Sequence, residues 1–162
     1  MGSRIITVEQ SEALHTILSD LLVMADADAV FVCDCGGNIM DHISQSDSGM
    51  DQTIAALASG SFAATGELAL LIGEAAFRSI FHKGDKTSIY MQSLAQDYLI
   101  LVIFGKNATL GMVKLHISKM AKDIESLLQK MSGQTVESAN VQSDFAMKSA
   151  GEIFKKKTGS ST

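Results

Sequence analysis

The stretch 53–74, TIAALASGSFAATGELALLIGE, decides the fold because it predicts one long helix with two unlike sides. Asp51 precedes it as a candidate N-cap, and Gly73 follows as a candidate C-cap. Helical spacing predicts an inward face made of Ile54, Leu57, Ser61, Leu68 and Ile72. The other side is predicted to carry small residues, namely Ala56, Ser59, Gly60, Ala63 and Gly66.

The small-residue side of this helix indicates a surface that another protein covers. A solvated helix side is usually rich in Lys, Glu and Gln, whereas Glu67 is almost the only charge here. Small side chains also allow another backbone to approach closely. Packing inside its own domain is the alternative, but one sheet cannot cover both sides of a helix.

Segments before and after this helix predict a mixed α+β domain. A first helix is capped by Thr7 and Gln10, and a continuously apolar segment, YLILVIF, is typical of a central strand buried on both faces. The predicted elements are a helix over 8–25, strands over 29–34 and 38–43, the long helix, strands over 78–83, 88–94 and 98–104, and a final helix capped by Thr109 or Asn107. The chain is thus expected to form one domain over 1–131, followed by a flexible polar tail over 132–162.

Composition excludes several classes of protein. Hydrophobic residues make up 46% of the chain, but we expect no apolar run to reach the about 20 residues that a membrane helix needs. The net charge of −5 and the lack of a basic patch with aromatics argue against nucleic-acid binding. No signal-peptide pattern is visible at the N-terminus, so the expected location is the cytoplasm, without membrane insertion.

The titratable residues form no pattern typical of an enzyme. Cys33 and Cys35 match neither a redox nor a zinc spacing, and Gly36-Gly37 lacks the Lys-Ser/Thr of a phosphate loop. The acidic residues show no metal-ligand spacing, and the histidines lie on separate elements: Asp26, Asp28, Asp34 and Asp41, with His15, His42, His82 and His116. We therefore expect no catalytic residues, no metal and no cofactor.

Three motifs give the chain a resemblance to the roadblock (dynein light-chain roadblock) domain family. VFVCDCGGNIM at 30–40 resembles the family's first hairpin, 53–74 its second helix, and FHKGDKTSIYMQSLAQDYLILVIF at 81–104 its three-stranded meander. The short motifs at 71–74, 81–84 and 88–91 are most similar to the bacterial MglB branch. The resemblance implies a five-stranded antiparallel sheet with elements in the order α-β-β-α-β-β-β-α.

The resemblance also implies a homodimer, in which the second helices pack together and the strand after them pairs across the axis. Pairing would protect an edge strand that otherwise invites aggregation. The dimer residues so implied are Ala56, Gly60, Arg78, Ile80, Phe81 and His82. The partner implied is an MglA-like, Ras-family GTPase of bacterial cell polarity and gliding motility, bound through Ser59, Ala63, Gly66, Glu67 and Leu70.

The function implied is activation of GTP hydrolysis without catalytic residues from this chain. Arginine fingers supply about 10³–10⁵ in rate, but Arg4 lies near the terminus and Arg78 begins the edge strand. A tail segment with Phe145, Met147, Ile153 and Phe154 is a candidate docking peptide for the GTPase. The alternatives are a scaffold that docks partners without changing nucleotide turnover, and a profilin- or longin-like small-molecule sensor.

Overall fold

The computed structural model describes residues 6–95 and 97–132 of the 162-residue chain. The described elements are α1 (Val8–Met24), β1 (Ala29–Asp34), β2 (Ile39–Ser44), α2 (Asp51–Leu71), β3 (Ser79–Lys83), β4 (Ser88–Leu94), β5 (Tyr98–Phe104) and α3 (110–132). This order confirms the predicted α+β class and the α-β-β-α-β-β-β-α arrangement. Strand β2 begins one residue later than predicted, because Asn38 belongs to the turn, where its backbone N–H and its side-chain amide bond to Asp34.

The five strands form one antiparallel sheet in the order β2-β1-β5-β4-β3. Strand β5 lies at the centre, with Val102 opposite Val30 on one side and opposite Tyr90 on the other. Nearly all of β5 is buried, which confirms the prediction of a central strand covered on both faces. Strand β3 lies at the edge, also as predicted.

Helices cover the two faces of the sheet unequally. Helices α1 and α3 share one face, where Leu18 and Ile117 pack with Ile100 and Val102 of β5. Helix α2 covers part of the other face, over Phe31, Leu101 and their neighbours. Alternate residues of β5 therefore enter opposite cores, as the pleat of a strand requires.

The helix ends show which capping predictions hold. The capping box of α1 is confirmed, since Thr7 and Gln10 each accept the other's backbone N–H. In α3, Thr109 rather than Asn107 caps, because its hydroxyl accepts the Met112 N–H at 3.3 Å.

Helix α2 ends as predicted but begins differently. Gly73 adopts a φ of +85°, and the N–H groups of residues 73 and 74 bond back to Leu70 and Ala69 in a Schellman arrangement. The prediction of Asp51 as N-cap is wrong. Met50 occupies that position without a side-chain bond, while the Asp51 carboxylate lies 3.1 Å from His42 Nε2.

The predicted tail lies outside the described residues, apart from Ser132, which is the last described residue of α3. The same holds for the predicted docking residues Phe145, Met147, Ile153 and Phe154, and for Arg4.

Candidate functional site

Helix α2 packs on the sheet through small side chains. Ala55 and Ser59 are buried against it, with Ile54 and Phe62 partly buried beside them, and Ala69 is buried near the end of the helix. The sheet surface beneath is itself bulky, since it presents Phe31 and Leu101 among other side chains. Small residues on the helix therefore allow its backbone to lie close to the sheet, and the strands supply large side chains that fill the space between them.

The predicted inward face of α2 is correct for Ile54 and wrong for most of its larger members. Leu57 is 70% exposed, Leu68 51% and Ile72 63%. Periodicity found an apolar side correctly, but it could not tell which side meets the sheet, because both sides of α2 lack charge. The consequence is a helix that presents leucines to the outside.

Ser59 belongs to the interior, which contradicts its prediction as a partner contact. It is 3% exposed, and its hydroxyl donates to the Asp34 carbonyl at 3.2 Å. The same oxygen lies 3.5 Å from the Cys33 sulfur. A side chain this enclosed joins α2 to the end of β1 and has no surface left for another protein.

The first hairpin turn is fixed against the N-terminal half of α2. Gln52 Nε2 donates to the Gly37 carbonyl at 2.7 Å. A Cβ on Gly37 would lie 2.7 Å from the Ala56 Cα, and Gly37 has a φ of +84°. Only glycine satisfies both conditions, so this turn sets how closely α2 approaches the β1–β2 hairpin.

We expect Gly37→Ala to lower the free energy of unfolding by about 2–4 kcal/mol, because backbone strain adds to a steric overlap with α2. Urea unfolding followed by circular dichroism measures this change. Gly49→Ala is the matched control, since Gly49 also has a positive φ, +66°, but its Cβ would meet nothing within 4 Å. Equal losses in the two variants would contradict a steric role for Gly37.

One outward row of α2 carries three of its four exposed leucines and is named here the leucine stripe. Its members follow one another at steps of four and three residues, so they share one side of the helix. They are Leu57, Ser61, Ala64, Leu68 and Leu71, and Leu71 is 83% exposed. This alternating spacing is the signal in the sequence that could have identified an outward apolar seam.

A second row beside it, named the small-residue stripe, follows the same spacing one position earlier. It consists of Ala56, Gly60, Ala63, Glu67 and Leu70, all of them exposed. A Cβ placed on Gly60 would meet nothing within 4 Å, so that position opens to the outside. The structure thus groups Ala63, Glu67 and Leu70, predicted as partner contacts, with Ala56 and Gly60, predicted as dimer contacts. Gly66 is half-buried, and its spacing places it after Ser59 and Phe62 in the row that faces the sheet.

An apolar groove of about 310 Å³ separates α2 from the edge of the sheet. Leu57 and Ser61 form its helix wall, and His82 of β3 and Ile89 of β4 form part of its sheet wall. It exists because α2 lies over β1 and β5 and leaves the β4–β3 side of this face uncovered. The leucine stripe, the groove and the β3 edge make one continuous surface.

The predicted dimer residues of β3 divide between the two faces of the sheet. Ile80 packs with the core under α2, and His82 lines the groove. Phe81 points to the opposite face, where its ring stacks on Phe104 with centroids 6.2 Å apart. Arg78 is exposed just before the strand, and its carbonyl accepts the Ser93 N–H.

The polar clusters of the described residues have structural partners. His15 pairs with Asp41 at 3.0 Å and His42 with Asp51 at 3.1 Å, which ties α1 and α2 to β2. Within residues 6–95 and 97–132, no group of three His, Cys, Asp or Glu side chains could hold a metal ion. Burial raises the pKa of both cysteine thiols. The Asp34 carboxylate raises the pKa of Cys33 further, and the Asp97 and Asp34 carboxylates raise that of Cys35.

Helix α2 has the length and composition of a membrane span, with 21 residues and a mean hydropathy of 1.5, contrary to the expectation that no apolar segment reaches this length. Its inner side packs on the sheet of its own domain, while most of its large apolar side chains are exposed in the single chain.

Comparison with known proteins identifies relatives of this fold. The Roadblock/LC7 domain family matches residues 14–104. Among solved structures, Myxococcus xanthus MglB is 30% identical, with a TM-score of 0.72 over 78% of this chain and 96% of that one. The gliding protein MglB of Thermus thermophilus is 26% identical, with a TM-score of 0.74 over 80% and 98%. An MglB with a tetrameric arrangement is 25% identical, with a TM-score of 0.75 over 81% and 98%.

Proposed function

Because this chain belongs to the Roadblock/LC7 domain family and is of the MglB type, we propose that it is a homodimeric cytoplasmic regulator that stimulates GTP hydrolysis by an MglA-like GTPase. The observation that carries the proposal is the outer surface of α2. It presents two parallel uncharged rows, apart from Glu67, next to an open sheet edge. Such a contiguous apolar surface is typical of a protein interaction site.

The leucine stripe is assigned to the dimer contact. Leu57 and Leu71 are 70% and 83% exposed in the single chain, and burying side chains of this size stabilises an association by about 1.5–3 kcal/mol each. The groove beside the stripe has room for side chains of a second copy. Strand β3, at the sheet edge, offers backbone groups that a second β3 can pair with. Ile80 and His82 belong to this surface.

The small-residue stripe is assigned to the GTPase. This assignment keeps Ala63, Glu67 and Leu70 as proposed contacts and moves Ala56 and Gly60 from the dimer contact to the GTPase contact. Because the two stripes lie side by side, the helices of a dimer can pack through one and leave the other open. A GTPase can then approach closely over Ala56, Gly60 and Ala63.

The proposed mechanism is one of binding rather than of supplied chemistry. A regulator that binds one conformation of a GTPase more tightly shifts the population toward that conformation. Hydrolysis accelerates when the favoured conformation places the GTPase's own catalytic groups around the γ-phosphate. In this mechanism Arg78, beside the dimer edge, takes no part in the reaction.

Phosphate release by the cognate MglA-like GTPase, alone and with this protein in excess, tests the proposal. We expect a large acceleration that Arg78→Ala leaves unchanged. GTP-dependent binding without acceleration would instead indicate a scaffold. An acceleration abolished by Arg78→Ala, in a variant that still dimerises and binds, would indicate an arginine finger and overturn the proposed mechanism.

A further inference from the structure

A second pocket lies at one end of the sheet, away from α2. It has a volume of about 410 Å³ and lies between the β3–β4 turn and the start of α3. Lys83, Lys86 and Lys106 line it, together with the rings of Phe81 and Phe104. These rings belong to the sheet face that α1 and α3 cover, so the pocket lies on the opposite face from the groove beside α2.

The three lysines lie in a domain whose described residues have a net negative charge. Residues 6–95 and 97–132 contain eight Lys and Arg against fifteen Asp and Glu, a net charge of −7. Three of those eight cations line this single pocket. Its wall includes one carboxylate, Asp85, and a second, Asp28, lies 3.5 Å from where a Cβ on Gly105 would be. Cations therefore exceed anions here, against the trend of the domain.

The ammonium groups of these lysines are not used by the fold. Among the described residues, none of Lys83, Lys86 and Lys106 makes an ion pair or a side-chain hydrogen bond. Each can therefore offer its donors to a ligand without breaking a native contact. Lysine binds phosphate as a compact point charge with three rotatable donors.

The pocket also has an aromatic wall. Phe104 is 3% exposed and supports Phe81, which is 40% exposed and stacks on it with an interplanar angle of 13°. A ring held in this way presents a fixed apolar surface to a flat ligand group. The volume falls within the range of about 300–1,000 Å³ that is typical of small-molecule sites.

We propose that this pocket binds a small, soluble, phosphorylated molecule with a flat ring, such as a nucleoside diphosphate. The phosphates lie among Lys83, Lys86 and Lys106, and the ring packs against Phe81. Asp85 accepts a hydrogen bond from a ligand hydroxyl or amino group. This inference does not rest on the proposed GTPase contact, because the pocket shares no residue with either stripe of α2. It does share Phe81 and Lys83 with β3, the strand proposed to pair in the dimer.

Isothermal titration calorimetry with ADP, and separately with pyrophosphate, tests the inference on the full chain. We expect ADP to bind, and Lys83→Gln/Lys86→Gln/Lys106→Gln to weaken it by about tenfold or more, through loss of charge-assisted hydrogen bonds. The matched control is Lys119→Gln/Lys122→Gln/Lys130→Gln, which removes the same charge from exposed positions of α3 outside the pocket. This control is expected to retain binding.

Two further arms test the ring and the source of the phosphate. Pyrophosphate is expected to bind more weakly than ADP, and Phe81→Leu is expected to remove that difference. Sedimentation with phosphatidylglycerol vesicles distinguishes a lipid headgroup from a soluble ligand. The inference is overturned by no binding of ADP at millimolar concentration, by equal loss in both triple variants, or by binding to vesicles alone. Thermal unfolding and gel filtration establish that each variant is folded.

Discussion

Ala63→Arg/Glu67→Arg is expected to return GTP hydrolysis by the partner GTPase to its intrinsic rate. Both positions lie in the small-residue stripe, four residues apart, and both are exposed. Two long charged side chains there would hold a partner backbone away from Ala56 and Gly60. On binding of the GTPase, the two guanidinium groups would also lose their hydration without forming an ion pair in return. A penalty of about 2–4 kcal/mol weakens binding by roughly 30- to 1,000-fold.

Phosphate release and direct binding to the GTP-loaded GTPase measure this loss. Glu12→Arg/Ser126→Arg is the matched control, because it adds two arginines and the same charge at exposed positions of α1 and α3. The control should activate normally, and both variants should unfold at the temperature of the native protein. Normal activation by the α2 variant would show that the small-residue stripe is not the GTPase contact.

Leu57→Glu/Leu68→Glu is expected to convert the dimer into a monomer. These leucines are 70% and 51% exposed in the single chain, so the substitutions leave the protomer core intact. In the dimer they would place four carboxylates in an apolar contact. Light scattering after gel filtration should give the 17.2 kDa of one chain for this variant, and twice that mass is expected for the native protein. Loss of the dimer contact should also reduce GTPase activation.

The control for this variant lies on α3. Met112→Glu/Leu115→Glu changes two apolar side chains of comparable exposure, 45% and 46%, and adds the same charge. It should remain dimeric at all concentrations at which the native protein does. If both variants became monomers, charge alone would explain the effect. If neither did, the leucine stripe would not be the dimer contact.

The strands and the first helix were predictable because their patterns have a single interpretation. Strand β5 is continuously apolar, which is typical of a strand whose side chains enter a core on each face, and the Thr7–Gln10 pair is typical of a helix start. The orientation of α2 was not predictable in this way. Periodicity identifies an apolar row, but α2 has several such rows, and bulky Phe31 and Leu101 lie below a row whose buried members are small.

The ambiguous periodicity of α2 also explains the wrong prediction for Ser59, whereas the lysine-lined pocket was missed for a different reason. By its size Ser59 fits among the small outward residues. In the structure, however, it lies on the inner side of α2, and its hydroxyl donates to the Asp34 carbonyl. The lysine-lined pocket was invisible in the sequence, because Lys83, Lys86 and Lys106 come from two different turns that only the β4–β5 pairing brings together.

The small size of the buried side chains of α2 also links the stability of the chain to its proposed assembly. Ala55, Ser59 and Ala69 bury few methylene groups, at about 0.8 kcal/mol for each one, so these three positions contribute little to the stability of α2 in the single chain. Much of its apolar surface would be covered only when a second copy binds. By mass action, the unfolding temperature should then rise with protein concentration. Amide hydrogens of α2 should exchange faster in dilute solution, while those of β5 keep their protection. In the proposed dimer, α2 would thus gain part of its stability from assembly.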